Sequence, residues 1–153
     1  MSDWKQPLRL VELLDKKGNI EEKGVDKLID AVQEASSLAD NLKCEEFLAF
    51  ATSAVRSAKN ADEVLKAVEK KTGVKLRVIS GEEEARLTFL ATRRWYGWSA
   101  GRITNLDIGG GSLEMSTGTE EVPDYAVSLD LGAGRLTHEW FDTDPPERKK
   151  INM

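Results

Sequence analysis

The sequence predicts an α/β fold in which helices cover a mainly parallel sheet. Short apolar runs of strand length alternate with longer segments of helical periodicity, and glycine-rich turns separate the later strands. The order along the chain is β, α, β, α, β, α, followed by β-β and β-α. With 153 residues, 40% of them hydrophobic, the chain is long enough for one ordinary domain with a core.

The first part of the chain alternates between strand and helix patterns. Residues 8–14 form an apolar run before a glycine turn, and we expect a strand there. Apolar residues recur at helical spacing over residues 25–42, which predicts a helix with one buried stripe. Residues 47–52 are apolar and of strand length, which predicts a strand that is buried on both faces.

Two later helices begin with capping patterns. Asn60 and Ser80 each stand three residues before a glutamate, the capping-box arrangement that satisfies free amides at a helix start. The first helix should stop at Gly73, which is followed by a strand over residues 74–79. The second helix should run to about Trp95 or Trp98.

The last part of the chain has a different pattern. Residues 103–117 are typical of a strand, a glycine turn and a second strand, and residues 125–131 predict another strand before the final helix. The change from strand-helix units to a hairpin suggests a domain boundary. We therefore expect residues 1–102 and 103–153 to belong to different domains.

Composition argues against several classes of function. The net charge of −5 disfavours non-specific nucleic-acid binding, which needs a basic face. No apolar run approaches the roughly 20 residues that span a bilayer, and the N-terminus lacks a signal-peptide pattern. We therefore expect a cytoplasmic protein with no nucleic-acid or membrane partner. Cys44 and His138 are the only residues of their types, which excludes an internal disulfide and a four-ligand Cys/His zinc site.

The segment Asp-Ile-Gly-Gly-Gly-Ser at residues 107–112 is the strongest candidate for a ligand site. Glycine lacks a Cβ, so the backbone can approach a ligand closely and direct its N–H groups at phosphate oxygens. Ser112 adds a hydroxyl donor, and Asp107 could hold a divalent cation beside the phosphates. A flexible hairpin turn is the alternative interpretation. A Walker loop is excluded because its Gly-Lys-Ser/Thr ending is absent.

Three further segments each allow two interpretations. The acids at residues 82–84 either complement the dipole of a helix start or direct one carboxylate into a cleft. Arg56 follows a predicted buried strand, where open α/β sheets place ligand contacts, so it either binds phosphate or lies on the surface. Residues 132–135, Gly-Ala-Gly-Arg, form either an anion site at a helix start or a tight strand-to-helix turn, which we favour.

Four segments in this order together resemble the Ppx/GppA family: residues 51–56, 79–87, 106–114 and 128–137. The resemblance implies the actin/Hsp70/sugar-kinase (ASKHA) type of fold, with two ribonuclease-H-like domains and a cleft between them. It also implies hydrolysis of terminal phosphoanhydride bonds of inorganic polyphosphate or guanosine pentaphosphate, with Mg²⁺ as cofactor. The family's first phosphate loop, Asp-x-Gly-Ser/Thr-Asn, has no counterpart in this sequence, so the fold is expected to be incomplete.

The resemblance also implies roles for individual residues. Glu84 is similar to the glutamate that positions and deprotonates the attacking water. Asp107 and Glu114 resemble the acids linked to the metal ion. The residues that resemble phosphate ligands are Arg56, Gly109, Gly110, Gly111 and Ser112.

Other functions and an assembly state also follow as expectations. A non-catalytic module that binds a phosphorylated ligand is the main alternative to an enzyme, and a kinase fragment of the same fold is another. An incomplete sheet would leave an edge and apolar surface uncovered, so we expect a homo-oligomer.

Overall fold

A computed structural model describes residues 3–141, and the chain divides into two units, Met1–Val78 and Ile79–Met153. The second unit begins before residue 102 because the helix Gly81–Tyr96 packs on the sheet that follows it. The boundary between two ribonuclease-H-like domains near residue 102 stays a prediction. Within the described residues, none of the helices is long and apolar enough to cross a membrane.

The first unit combines three helices with a short parallel sheet. Strand β1 pairs with β2 in parallel, Phe50 opposite Arg77 and Ala51 opposite Val78. Leu28 and Val32 of the first helix share one face because they lie four residues apart, and they belong to one buried cluster with Val68 of the third. The elements are α1 (Glu22–Asn41), β1 (Phe50–Ala51), α2 (Ser53–Arg56), α3 (Ala61–Thr72) and β2 (Arg77–Val78).

The strand predicted over residues 8–14 is wrong. A 3-10 helix, Leu10–Leu13, occupies most of this segment, and only an isolated antiparallel bridge joins Leu14 to Ile20. The carboxylate of Asp15 accepts hydrogen bonds from two backbone amides of the turn that follows, at 2.7 and 2.9 Å. That turn folds the segment back on itself, so its apolar residues reach the core without joining a sheet.

The strand predicted over residues 47–52 is shorter and more exposed than expected. Only the two residues of β1 are extended and paired, and Phe47 and Leu48 are 41% and 63% exposed. An apolar run predicts burial only if other elements cover both of its faces. Within residues 3–141, β1 pairs with one strand alone.

The limits predicted for α3 are confirmed, but its capping box is wrong. Asn60 is the N-cap residue, and Gly73 ends the helix in the left-handed conformation. The side chain of Asn60 makes no capping bond. Its Oδ1 accepts from the backbone N–H of Ile20 and its Nδ2 donates to the carbonyl of the same residue, both at 2.9 Å. Asn60 therefore ties the start of α3 to the turn before α1.

The second unit consists of one long helix on a three-stranded sheet. The sheet is antiparallel in the order β3-β4-β5, so the α/β class is confirmed but a mainly parallel sheet is wrong for the described residues. The Oγ of Ser80 accepts from the backbone N–H of Glu83 at 3.1 Å, as its capping pattern predicts. The elements are α4 (Gly81–Tyr96), β3 (Ile103–Ile108), β4 (Leu113–Gly118), β5 (Tyr125–Leu129) and α5 (Ala133–Trp140).

Strand register sorts the side chains of this sheet onto two unlike faces. Asp107 pairs with Glu114 on the face towards α4, where Glu114 is only 2% exposed. Leu106 and Ile108 lie on the opposite face, because successive strand residues alternate, and are 58% and 67% exposed. The helix therefore covers the polar face of the sheet and encloses its carboxylates.

Arg93 fixes the C-terminal part of α4 on the sheet. Its fully buried guanidinium donates to the carbonyl oxygens of Gly97, Gly101 and Gly118 at 3.1, 2.6 and 2.9 Å. The carbonyls of Gly101 and Gly118 flank the start of β3 and the end of β4. The helix therefore runs antiparallel to β3, and its N-terminal end lies towards the end of that strand.

Candidate active site

The glycine loop, residues 109–112, joins β3 to β4 in a tight turn. The backbone N–H of Gly109 donates to the carbonyl of Ser112 at 2.9 Å, directly after the last strand pair. Gly110 is exposed, whereas Gly111 and Ser112 are buried. The loop is a hairpin turn, one of the two interpretations of the sequence. The backbone of Gly110, at the tip of the turn, is exposed.

The start of α5 holds this loop from one side. The backbone N–H of Ala133 donates to the carbonyl of Gly109, and that of Arg135 to the carbonyl of Gly110, both at 2.9 Å. A Cβ built on Gly132 would overlap the backbone of Gly111. The glycines of residues 132–135 therefore serve close packing in a tight turn, the interpretation that the sequence favoured.

Two carboxylates flank the loop, Asp107 before it and Glu114 after it. Asp107 and Glu114 lie directly opposite each other on β3 and β4, a position that brings Cβ atoms within about 4.5–5.5 Å. The Oγ of Ser128, on β5, donates to Glu114 Oε1 at 2.7 Å. These acids therefore share the enclosed face of the sheet, next to the glycine loop.

Glu84 lies at the same end of the second unit. The Oγ1 atoms of Thr88 and Thr92 lie 3.4 and 3.3 Å from the side-chain amide of Asn105, on the enclosed face of β3. Because α4 is antiparallel to β3, moving towards the N-terminus of the helix corresponds to moving towards the C-terminus of the strand. One helical turn covers about 5.4 Å, which is similar to the roughly 6.8 Å covered by two strand residues. That step leads from Thr88 to Glu84 and from Asn105 to Asp107.

The structure also narrows the choice among the three acids at the start of α4. Glu82 is exposed and accepts from the guanidinium of Arg86 at 2.7 Å along the helix surface. Glu84 is half-buried and lies on the same face of the helix as Thr88, one turn away. Glu82 is therefore a surface ion pair, and Glu84 remains the candidate for chemistry.

Asp107 and Glu114 are carboxylates of the kind that hold a divalent cation. Within residues 3–141, no three His, Cys, Asp or Glu side chains are grouped so that they could hold a metal ion together. Mg²⁺ needs fewer protein ligands, since it commonly takes one or two carboxylates, several waters and substrate phosphate oxygens. Asp107 and Glu114 supply two such carboxylates beside the glycine loop.

Arg56 belongs to the first unit, whereas the other candidate residues belong to the second. It is the last residue of α2 and is half-buried, and its backbone N–H donates to the carbonyl of Thr52 at 2.9 Å. Arg56 follows β1, as the sequence predicts, but within the short helix α2, which was not predicted. Its role as a phosphate ligand stays a prediction.

Sequence reasoning assigned no role to two polar residues on the enclosed face. Ser128 donates to Glu114 and begins one of the four segments that resemble the family, whereas Asn105 contacts the threonines of α4 and lies outside those segments. Alternation along β3 puts Asn105 on the same face as Asp107, which was a usable signal. Ser128 becomes a neighbour of Glu114 only through the register of β4 and β5, which the sequence alone does not determine.

Comparison with known proteins agrees with this arrangement. Residues 1–153 match the model of the Ppx/GppA phosphatase family. Over all 153 residues, the chain is 58% identical to exopolyphosphatase 1 of Mycobacterium tuberculosis and covers 44% of that protein.

Solved structures of family members have a similar fold. The Ppx/GppA phosphatase of Aquifex aeolicus matches 95% of this chain at 32% identity with a TM-score of 0.69, over 48% of its own length. An exopolyphosphatase from Cytophaga hutchinsonii matches 90% of this chain at 28% identity with a TM-score of 0.81, over 44% of its length. The chain thus spans less than half the length of these relatives, and the ASKHA type of fold is confirmed. This chain belongs to the Ppx/GppA phosphatase family.

Proposed function

We propose that this chain carries the phosphate-binding loop and the water-activating glutamate of an exopolyphosphatase. The reaction is hydrolysis of terminal phosphoanhydride bonds of inorganic polyphosphate, with guanosine pentaphosphate as a second substrate. The observation that carries the proposal is the glycine loop beside Asp107 and Glu114, at the end of the unit where Glu84 lies. The name of the relative that is 58% identical supports polyphosphate as the substrate.

Each group has one task in the proposed reaction. Glu84 orients a water molecule and accepts its proton, while the water oxygen attacks the terminal phosphorus in line with the bridging oxygen. The bond from phosphorus to the bridging oxygen breaks, and its electron pair leaves with the shortened chain. Backbone amides of the glycine loop and the hydroxyl of Ser112 donate to the phosphate oxygens, so positioning and electrostatic stabilisation supply most of the rate.

Phosphatases of this family are generally metal-dependent, and we propose Mg²⁺ as the ion here. Asp107 and Glu114 would hold it. A bound ion supplies positive charge beside the phosphates, which a chain with a net charge of −5 otherwise lacks. Arg56 is proposed as an additional phosphate ligand. A cytoplasmic location and a homo-oligomeric state stay predictions from the sequence.

A chimera tests the proposed enzyme. This chain would replace the matching segment of the Mycobacterium tuberculosis exopolyphosphatase 1, and phosphate release from polyphosphate would be measured with and without Mg²⁺. We expect Mg²⁺-dependent turnover, and Glu84→Gln should lower kcat by about 10²–10⁴-fold because the water loses its base. Glu82→Gln is the matched control, since Glu82 pairs with Arg86 on the surface. Unchanged turnover in Glu84→Gln would remove Glu84 from its assigned role.

A phosphate-binding module without catalysis is the second candidate. It is favoured by the burial of Glu114, which is 2% exposed and already accepts a hydrogen bond from Ser128 Oγ. This alternative predicts that polyphosphate raises the melting temperature of the 153-residue chain, while neither the chain nor the chimera releases phosphate. Turnover by the chimera decides for the enzyme.

A further inference from the structure

We propose that Gly132 and Gly134 are positioning residues that direct the backbone amides of Gly110 and Gly111 at a bound phosphate. The ligand in this inference rests on the proposed function, whereas the geometry of the contact does not. No residue of α5 touches the substrate in this scheme. The start of the helix acts through the glycine loop.

The first turn of α5 binds two carbonyl groups of the glycine loop. The N–H groups of Ala133 and Arg135 bind the carbonyl oxygens of Gly109 and Gly110 at 2.9 Å each. First-turn amides of a helix have no partner within the helix, so they are available for this contact. Two consecutive loop carbonyls therefore point towards α5.

The direction of the loop N–H groups follows from the planar trans peptide bond. In such a bond the N–H points opposite to the carbonyl of the preceding residue. Since the carbonyls of Gly109 and Gly110 point at α5, the N–H groups of Gly110 and Gly111 point away from it. Within residues 3–141, neither of these two N–H groups donates a hydrogen bond. Two adjacent amides directed the same way form a small anion-binding concavity.

Glycine is required at the start of α5. Gly132 has a φ of −69°, which any residue adopts, so its backbone conformation does not select glycine. Space does, because a Cβ on Gly132 would overlap the backbone of Gly111 and the amide nitrogen of Ser112. A Cβ on Gly134 would lie 3.1 Å from the carbonyl oxygen of Gly110. A side chain at either position would push the loop off the two amides that hold it.

A backbone hydrogen bond also closes the base of the loop. Loss of the contact with α5 would therefore change the orientation of the loop peptides without opening the loop. Gly109 and Ser112 are joined by the backbone hydrogen bond at 2.9 Å and continue into the paired strands. The strands fix where the loop is, and α5 fixes which way its peptides face. Catalysis by fixed dipoles depends on that second property.

The test combines amide exchange with phosphate binding in the 153-residue chain. Wild type should show slow hydrogen exchange at the amides of Ala133 and Arg135, and inorganic tripolyphosphate should shift the NMR signals of Gly110 and Gly111. In Gly132→Ala and the milder Gly134→Ala, exchange at the two α5 amides should be at least about tenfold faster and tripolyphosphate affinity about tenfold weaker. The matched control is Glu139→Ala, at an exposed site near the other end of α5.

Each outcome decides between the claims. Lower melting temperature with unchanged tripolyphosphate affinity of the folded Gly134→Ala protein would show a purely structural role and overturn the inference. Equal shifts at Gly110 and Gly111 in wild type and both variants would overturn it while leaving the proposed function intact. If tripolyphosphate shifts no signal in wild type, the proposed function and the ligand named here both fail, whatever the exchange rates.

Discussion

Glu114 shows how one residue acquires its surroundings from strand register. Its position opposite Asp107 and beside Ser128 follows from pairing in two neighbouring strand pairs, and α4 covers the face that carries it. The sequence identified Glu114 only through its resemblance to a family motif. Its hydrogen-bond donor lies fourteen residues away and could not be identified without the register of β5.

Ser128→Ala should destabilise the second unit by about 1.5–3 kcal/mol, because a buried carboxylate loses a hydroxyl donor at 2.7 Å. Ser116→Ala is the matched control on the same face, since the buried Oγ of Ser116 has no hydrogen-bond partner within the described residues. That control should be neutral or slightly stabilising. Urea unfolding of both variants measures the difference, and equal free energies of unfolding would show that the bond to Glu114 contributes nothing.

Helix caps show what local sequence predicts and what it leaves out. Both N-cap positions and the stop at Gly73 were predicted, because capping preferences act within a single turn. The Ser80 side chain caps its own helix, whereas Asn60 bonds to Ile20, forty residues away. A local pattern contains no information about a partner that arrives from a distant segment.

Asn60→Ala should therefore cost more than an ordinary cap. Ser80→Ala should lower the free energy of unfolding by about 1 kcal/mol, the usual value for an N-cap serine. Asn60→Ala should lower it by about 2 kcal/mol, since two hydrogen bonds to the backbone of Ile20 are lost. Asn60→Asp, which keeps only the acceptor, should fall between wild type and Asn60→Ala in urea unfolding. A larger loss in Ser80→Ala would contradict this ranking.

The ion pair between Arg94 on α4 and Glu121 should contribute to the loss of folding stability at low pH. Arg94 Nε donates a hydrogen bond to the carboxylate of Glu121 at 2.9 Å, and this bond lowers the pKa of Glu121 from its ordinary value of 4.5. A lowered folded pKa means that the contribution is present above pH 4.5 and is lost as pH falls through the folded pKa.

Glu121→Gln should therefore reduce the loss of stability between about pH 6 and pH 3, by a small amount because the pair is exposed. Thermal unfolding at both pH values, in low and high salt, measures it as the difference between wild type and variant. The difference should shrink in high salt. A variant that loses stability with acid as steeply as wild type would exclude this role for the pair.

At the scale of the whole chain, the α/β class and most of the order of elements followed from periodicity and turn residues, but the strand over residues 8–14 did not form and α2 was not predicted. The mainly parallel strand pairing that the sequence predicted is not observed, because strand partners depend on contacts between distant segments. The same reason explains residues 47–52, whose apolar composition predicted burial that one neighbouring strand does not provide. The turn at residues 109–112 and the helix start at Ser80 were predicted correctly, since turn residues and caps act locally.

Uncovered apolar surface predicts self-association of the 153-residue chain. Leu106 and Ile108 on the second unit and Leu48 on the first are exposed large apolar side chains, and such surface favours association. Sedimentation velocity should show species larger than monomer at about 100 μM. Leu106→Lys with Ile108→Lys should reduce their fraction, whereas Ala91→Lys with Ala100→Lys, at two exposed sites, serves as a charge-matched control. A wild-type chain that stays monomeric would contradict the expected homo-oligomer.

The contacts of Arg93 have a consequence for how this region tolerates sequence change. All three of its acceptors are main-chain oxygens of glycine, at Gly97, Gly101 and Gly118. Two of these glycines have φ values of 72° and 63°, and a Cβ on Gly118 would lie 2.9 Å from Pro123 Cα. In a saturation library, we expect most substitutions at each of these four positions to destabilise the fold, because Arg93 and the three glycines depend on one another. Lysine, which keeps the positive charge but not the planar fork, should be rejected at position 93 as strongly as a neutral residue.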